Sequence, residues 1–292
     1  MESVLCTSFR FLLGCVHLPP TEEHMPELPE IFCRAREMNE SLRERVITSI
    51  EVKQPQCLNV SVEAFEAGLL GSRIDDTHQQ GKWLVTDTSQ GHLLINLGMG
   101  GELLLVERHA LPEKWRIRFD FEDGLTLAIN FWWFGNVHYV EPGGLANHTM
   151  TAKLGPNAMD VTVDEFHALL AGRRGRIKSF LLDQSKIAGI GNAYIHDILF
   201  RAGLHPLRSI STLQDQDIDL LHQSIQDEFR RSIAKGAANY ELNLLGARGG
   251  FGAQDLLVGY REGKSCPVCH ALIEKQKTGS TTSYICPQCQ AM

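Results

Sequence analysis

Two pairs of cysteines near the C-terminus, Cys266-Pro267-Val268-Cys269 and Cys286-Pro287-Gln288-Cys289, constrain this chain more than any other stretch. Sixteen residues separate the pairs, which suits a β-hairpin folded over a four-thiolate site. Zinc accepts four thiolates tetrahedrally, and Cys-x-x-Cys knuckles supply that geometry with little strain. Four ligands leave no open position for a substrate. Cys266, Cys269, Cys286 and Cys289 therefore read as ligands of one structural Zn2+, with a redox dithiol as the competing explanation. Cys6, Cys15, Cys33 and Cys57 show no pairing pattern, which points to a reducing compartment rather than a disulfide framework.

Ahead of this finger lie enough residues, in a chain of 292, for two modest domains with their own cores. No stretch approaches the length needed to span a membrane. The formal charge of −7 argues only weakly against nucleic acid, because duplex binding depends on a local basic face rather than on the total.

From Pro29 to about Leu42, Ile31, Ala35, Met38 and Leu42 fall on one helical face. Runs with strand character follow over 46–52, 72–75, 83–87, 93–97, 102–106, 115–121 and 125–131, and Glu122-Asp123-Gly124 reads as a hairpin turn. Seven short strands behind one leading helix read as an antiparallel sandwich ending near Gly143-Gly144. The pattern then turns helical over 163–170, 177–182, 192–202 and 212–235, with Asp164 as a start signal and Gly203 as a stop. The glycine-rich loop 244–252 lacks the lysine of a phosphate-binding loop.

Three further stretches carry chemistry. Met25-Pro26-Glu27-Leu28-Pro29-Glu30 makes chemical sense if the working protein begins there, because removal of Met25 leaves a free amine at Pro26 beside two carboxylates. An α-amino group titrates near ~8 against ~10.4 for lysine, so far more of it is nucleophilic at neutral pH. That suits imine formation with a masked aldehyde. The plainer explanation is a helix start, with Pro29 in the first turn and acids at the positive end of the dipole. The segment 1–24 is a poor signal peptide and reads as an upstream start taken for the true one at Met25, a regulatory or targeting extension being the other reading. If those residues stay attached, the Pro26 nitrogen is an imide without a nucleophilic lone pair.

The second stretch is the basic run Gly172-Arg173-Arg174-Gly175-Arg176-Ile177-Lys178, followed by Ile187-Ala188-Gly189-Ile190-Gly191-Asn192-Ala193-Tyr194. Cations and backbone N–H groups there can approach phosphates together, although a solvated face and an N-cap asparagine explain the same residues. The third is Asn130-Phe131-Trp132-Trp133-Phe134-Gly135 with Leu97-Gly98-Met99-Gly100-Gly101. Alternate side chains of a strand point to opposite faces, so this many rings cannot all be core. Exposed rings near cations suit stacking on bases.

Taken together, the residues from Met25 onward resemble the formamidopyrimidine-DNA glycosylase and endonuclease VIII family of base-excision repair enzymes. The resemblance rests on residues 25–30, Gly81-Lys82, residues 97–101, the segment 178–206 and the terminal finger. It implies an α+β protein with four parts. These are the leader 1–24, an N-terminal catalytic β-sandwich over 25–144, a helix-two-turn-helix DNA-binding domain over 150–262 and a zinc finger over 263–292. It implies an enzyme that removes damaged bases and cuts the strand, acting as a monomer on double-stranded DNA with damaged bases or abasic sites, in the bacterial cytoplasm with the nucleoid.

Carried over residue by residue, Pro26 is the nucleophile at C1′, Glu27 the acid that opens the sugar, and Glu30 a group that orients the amine. Lys82 holds a phosphate beside the lesion. Asn192, with Lys178 nearby, binds the backbone. Met99 and Phe134 fill the gap left by the extruded nucleotide. Two positions depart from the family pattern. Trp132 stands where an arginine usually enters the duplex, and Thr281 stands near the usual finger arginine, leaving Lys275 or Lys277 as the phosphate contact. Two other function classes fit parts of the sequence: a silent protein that binds damaged DNA, and a zinc-ribbon interaction protein without DNA affinity.

Overall fold

The computed structural model describes residues 25–132, 134–279 and 281–292, so the leader 1–24 and Trp133 lie outside the described residues. Pro29 sits in the first turn of α1 (Leu28–Leu42), where its missing N–H costs nothing. The expected face of Ile31, Ala35, Met38 and Leu42 is buried. Eight strands follow: β1 (Ile47–Val52), β2 (Ile74–Gln80), β3 (Trp83–Thr88), β4 (Gly91–Asn96), β5 (Glu102–Glu107), β6 (Ile117–Phe121), β7 (Leu125–Asn130) and β8 (Asn136–Val140). They form two four-stranded antiparallel sheets, ordered β1-β6-β7-β5 and β2-β3-β4-β8. The Glu122-Asp123-Gly124 turn joins β6 to β7, with Gly124 at φ +84°.

Two elements were absent from the sequence reading. Helix α2 (Val62–Leu69) starts at Ser61, whose hydroxyl accepts from the Ala64 N–H at 3.2 Å, and buries Phe65 and Leu69. Strand β8 completes the second sheet, pairing His92 to Asn96 of β4 with Val140 to Asn136. It directly follows the aromatic run, which drew attention as a binding motif instead.

The C-terminal half contains α3 (Val163–Leu170), α4 (Ile177–Leu182), α5 (Ile195–Arg201) and α6 (Asp215–Ala234). Thr162 rather than Asp164 caps α3: its hydroxyl accepts from the Glu165 N–H, and the Glu165 carboxylate accepts from the Thr162 N–H. Helix α5 begins three residues later than expected, because residues 192–194 form a turn. Hairpin β9 (Glu274–Thr278) and β10 (Thr281–Ile285) forms the finger. No helix among the described residues is long and apolar enough to cross a membrane.

Each part has a separate apolar core. One lies between the sheets and α1, one among α3 to α6, and a small one beneath the finger around Phe200, Val258 and Tyr284. The halves exchange residues. Leu28 of α1 packs in the helical core, and Leu244 of the loop after α6 packs in the sandwich core. Leu244 also bridges by backbone, donating to Glu37 at 2.9 Å and accepting from the Leu105 N–H at 2.7 Å.

Candidate active site

The start of α1 lies against the loop Ile187–Asn192. The Leu28 N–H donates to the Gly189 carbonyl at 3.0 Å. Gly189 has φ +105°, and a side chain there would collide with Leu28. This contact delivers Glu27 to two N–H groups further along the chain. Gly191 N donates to Glu27 Oε2 at 2.7 Å and Ala193 N to Glu27 Oε1 at 2.8 Å. A Cβ at Gly191 would overlap both the Glu27 carboxylate and Lys82 Nζ, so glycine is required where these groups converge.

Glu27 is 3 % exposed, and burial pushes its carboxyl up to about 7. Lys82 and the two N–H groups pull it back, while Glu30 raises it. A carboxyl so placed is part protonated at neutral pH and can both give and take a proton. Pro26 is buried beside it.

Glu30 acts on the backbone of this corner. Its Oε2 accepts from the Glu27 N–H at 3.0 Å, and its Oε1 accepts from the Tyr194 hydroxyl and from Ala238 N at 3.2 Å. Burial raises the Glu30 pKa and holds the Tyr194 phenol well above its ordinary value, so Tyr194 stays a donor. The Ser232 hydroxyl stands 2.6 Å from the phenol oxygen. Glu30 thus fixes the residue next to Pro26 and ties α1 to α6 and the loop beyond.

Lys82 lies at the same end of the second sheet as the aromatic run. Asn96 Nδ2 donates to the Lys82 carbonyl at 2.9 Å, and Asn96 Oδ1 accepts from Gly98 N at 3.2 Å. The next residues lead to half-buried Met99, whose carbonyl accepts from the Trp132 N–H at 3.1 Å. Trp132 is 60 % exposed and Phe134 74 %.

Other expected residues fall elsewhere. Lys178 was expected near a phosphate, but it is 2 % exposed and points into the finger. Its Nζ donates to Thr282 O at 2.5 Å, Ser283 Oγ at 2.8 Å and Thr278 Oγ1 at 3.3 Å. The reason is its place in the first turn of α4, directly beneath the hairpin. Asn192 stands in the turn before α5, half-buried, with Oδ1 unpartnered among the described residues. Arg173, Arg174, Arg176, Lys275 and Lys277 are exposed.

The sequence reading missed Tyr194, the N–H pair of residues 191 and 193, and Ala238. Only the two glycines before Asn192 offered a signal, and an N-cap explained them sufficiently.

The cysteine Sγ atoms all lie within 4.8 Å of one another, with Cys266–Cys289 at 3.8 Å and Cys269–Cys286 at 3.3 Å. Tetrahedral Zn–S bonds of ~2.3 Å imply S···S separations of about 3.8 Å, so the group fits a metal ion. Gln290 links the knuckle to the turn after α5, its Oε1 accepting from Cys286 N at 3.0 Å and its Nε2 donating to Leu204 O at 2.9 Å.

Comparison with known proteins matches this arrangement in order. The family model of the formamidopyrimidine-DNA glycosylase N-terminal domain matches residues 25–130, and that of the H2TH domain matches residues 154–243. The chain belongs to the formamidopyrimidine-DNA glycosylase family. It is 34% identical to the enzyme of Chloroflexus aurantiacus and 33% to that of Magnetococcus marinus, across 91% of this chain and 98% and 99% of those relatives. Among solved structures it resembles the Lactococcus lactis Fpg in complex with DNA carrying an N7-benzyl-Fapy-dG, with TM-score 0.85 and 28% identity. It also resembles that enzyme with abasic-site DNA, with TM-score 0.84 and 27% identity. Both alignments cover 91% of this chain and 100% of the other.

Proposed function

We infer that this protein is a DNA glycosylase and abasic-site lyase of base excision repair. It acts on duplex DNA with a damaged base or an abasic site. The observation that carries the reading is the corner where Pro26, buried Glu27, Lys82 and the N–H groups of Gly191 and Ala193 converge.

With Pro26 as first residue, its amine attacks C1′ and the C1′–base bond breaks. Glu27 protonates the sugar ring oxygen, giving an open imine, and then carries protons while elimination on both sides cuts the strand. Lys82 holds the phosphate beside the lesion, and Glu30 keeps the backbone at residue 27 in place. Met99 and Phe134 fill the space of the extruded nucleotide. Asn192 and Lys277 bind backbone phosphates.

The four thiolates suit zinc, which supplies a fixed finger and takes no part in the bond changes. Distinct apolar clusters support the division between 25–144 and 150–262, and the hairpin with its four cysteines supports the finger at 263–292. Relatives that align over nearly their whole length, and a family match that opens at Met25, support Pro26 as the working start. We place the protein as a monomer in the bacterial cytoplasm, where its DNA substrate is. A chain that keeps residues 1–24 would instead bind damaged DNA without cutting it.

The test is single-turnover excision from a duplex with one formamidopyrimidine residue, using protein that begins at Pro26. Release of the base with strand cleavage is expected. Glu27→Gln should bind this duplex and fail to excise. Full turnover by Glu27→Gln would refute the assigned role.

A further inference from the structure

On the proposed function, extruding a nucleotide leaves its former partner base estranged inside the duplex, beside the rim where Met99 and Phe134 enter. Several polar groups of this rim are already engaged within the protein. Asn136 Nδ2 donates to the Phe134 carbonyl at 3.0 Å, Asn96 binds Lys82 O and Gly98 N, and Arg116 Nε donates to the Phe131 carbonyl at 3.2 Å. Among the described residues, the large side chains that this rim exposes are Trp132 and Phe134, with Met99 half-buried beside them.

Trp132 is braced rather than loose. Its backbone N–H is held by the Met99 carbonyl, and its ring lies over Gly100, where an added Cβ would stand 3.1 Å from Cδ1 and 3.4 Å from Cγ. Gly100 has φ +60°, so both the backbone and the space select glycine under the indole. Phe134 is held at φ +60° as well, a strained conformation for a bulky residue, which projects its ring from the same loop.

We propose that Trp132, seated on Gly100, receives the estranged base by stacking, so that this enzyme engages its lesion almost equally whichever base stands opposite. A π-face accepts every base, whereas discrimination among bases requires donors and acceptors set against their edges. This rests on the damaged-duplex reading above, but binding can test it without catalysis.

The experiment measures dissociation constants at fixed salt for four duplexes carrying a tetrahydrofuran abasic analogue opposite A, C, G or T. The wild-type chain beginning at Pro26 is compared with Trp132→Ala and Trp132→Phe. The four wild-type constants should agree within about fivefold, Trp132→Ala should weaken all four by about tenfold or more, and Trp132→Phe should restore most of the affinity. A wild-type spread above about fivefold, or Trp132→Ala binding as tightly as wild type, overturns the proposal. Borohydride trapping on an abasic duplex, run alongside, reads the lyase chemistry separately. Even binding without trapping would refute the enzyme reading and leave this one standing.

Discussion

Gly191 shows how much a single residue decides here. The carboxylate of Glu27, the ammonium of Lys82 and a backbone N–H meet where its side chain would be. Gly191→Ala should therefore leave the fold intact and cut base excision by about 100-fold, because a displacement near 1 Å at a reacting group costs that much. Single-turnover rates with a thermal melt as control check this. Burial makes Glu27 a stronger proton holder than a free glutamate, with its carboxyl at about 7. The protonated form needed to open the sugar is lost as pH rises through that value. Excision by the wild-type chain should therefore fall above about pH 7, which single-turnover rates measured across that pH check. Tyr194, by contrast, was invisible in the sequence because its partner Glu30 is 164 positions away.

At the scale of elements, periodicity made α1, α3 and α4 legible, since an apolar face at helical spacing needs only local information. Helix α2 was missed because its apolar face is only two residues, Phe65 and Leu69. Strand β8 was missed because it opens on Asn136 and follows rings that read as exposed. Lys178 was read as a phosphate ligand from its charge and its basic neighbours, but burial under β9 and β10 makes it a strut of the finger. Burial lowers its pKa to about 8. The folded state thus holds fewer protons than the unfolded chain between about pH 8 and 10.4, and stability gains from this group as pH rises through that window. Thermal melts of Lys178→Met should lack that rise. The variant should also bind DNA less tightly, since the hairpin acceptors lose their donor. Metal removal by a chelator should release the finger and abolish DNA binding, which excess Zn2+ should restore.

Across the whole molecule, the two halves are joined by reciprocal insertion, Leu28 into one core and Leu244 into the other. Glu30 and Glu37 of α1 add accepted N–H bonds from Ala238 and Leu244. Leu244→Ala should cost about 2–5 kcal/mol of local stability. Hydrogen exchange should show this as lost protection over residues 238–249, with the sheets protected as before. These long-range contacts assemble the corner on which catalysis depends, and the central claim is that Pro26 is its nucleophile. Borohydride trapping on a duplex with one abasic site tests that claim most directly, comparing the chain that begins at Pro26 with the full 292 residues. A covalent adduct mapped to Pro26 in the shorter chain, and none in a chain that retains residues 1–24, is the predicted result. No adduct in either, with methionine removal and bound zinc confirmed, or an adduct mapped to a lysine, would contradict it.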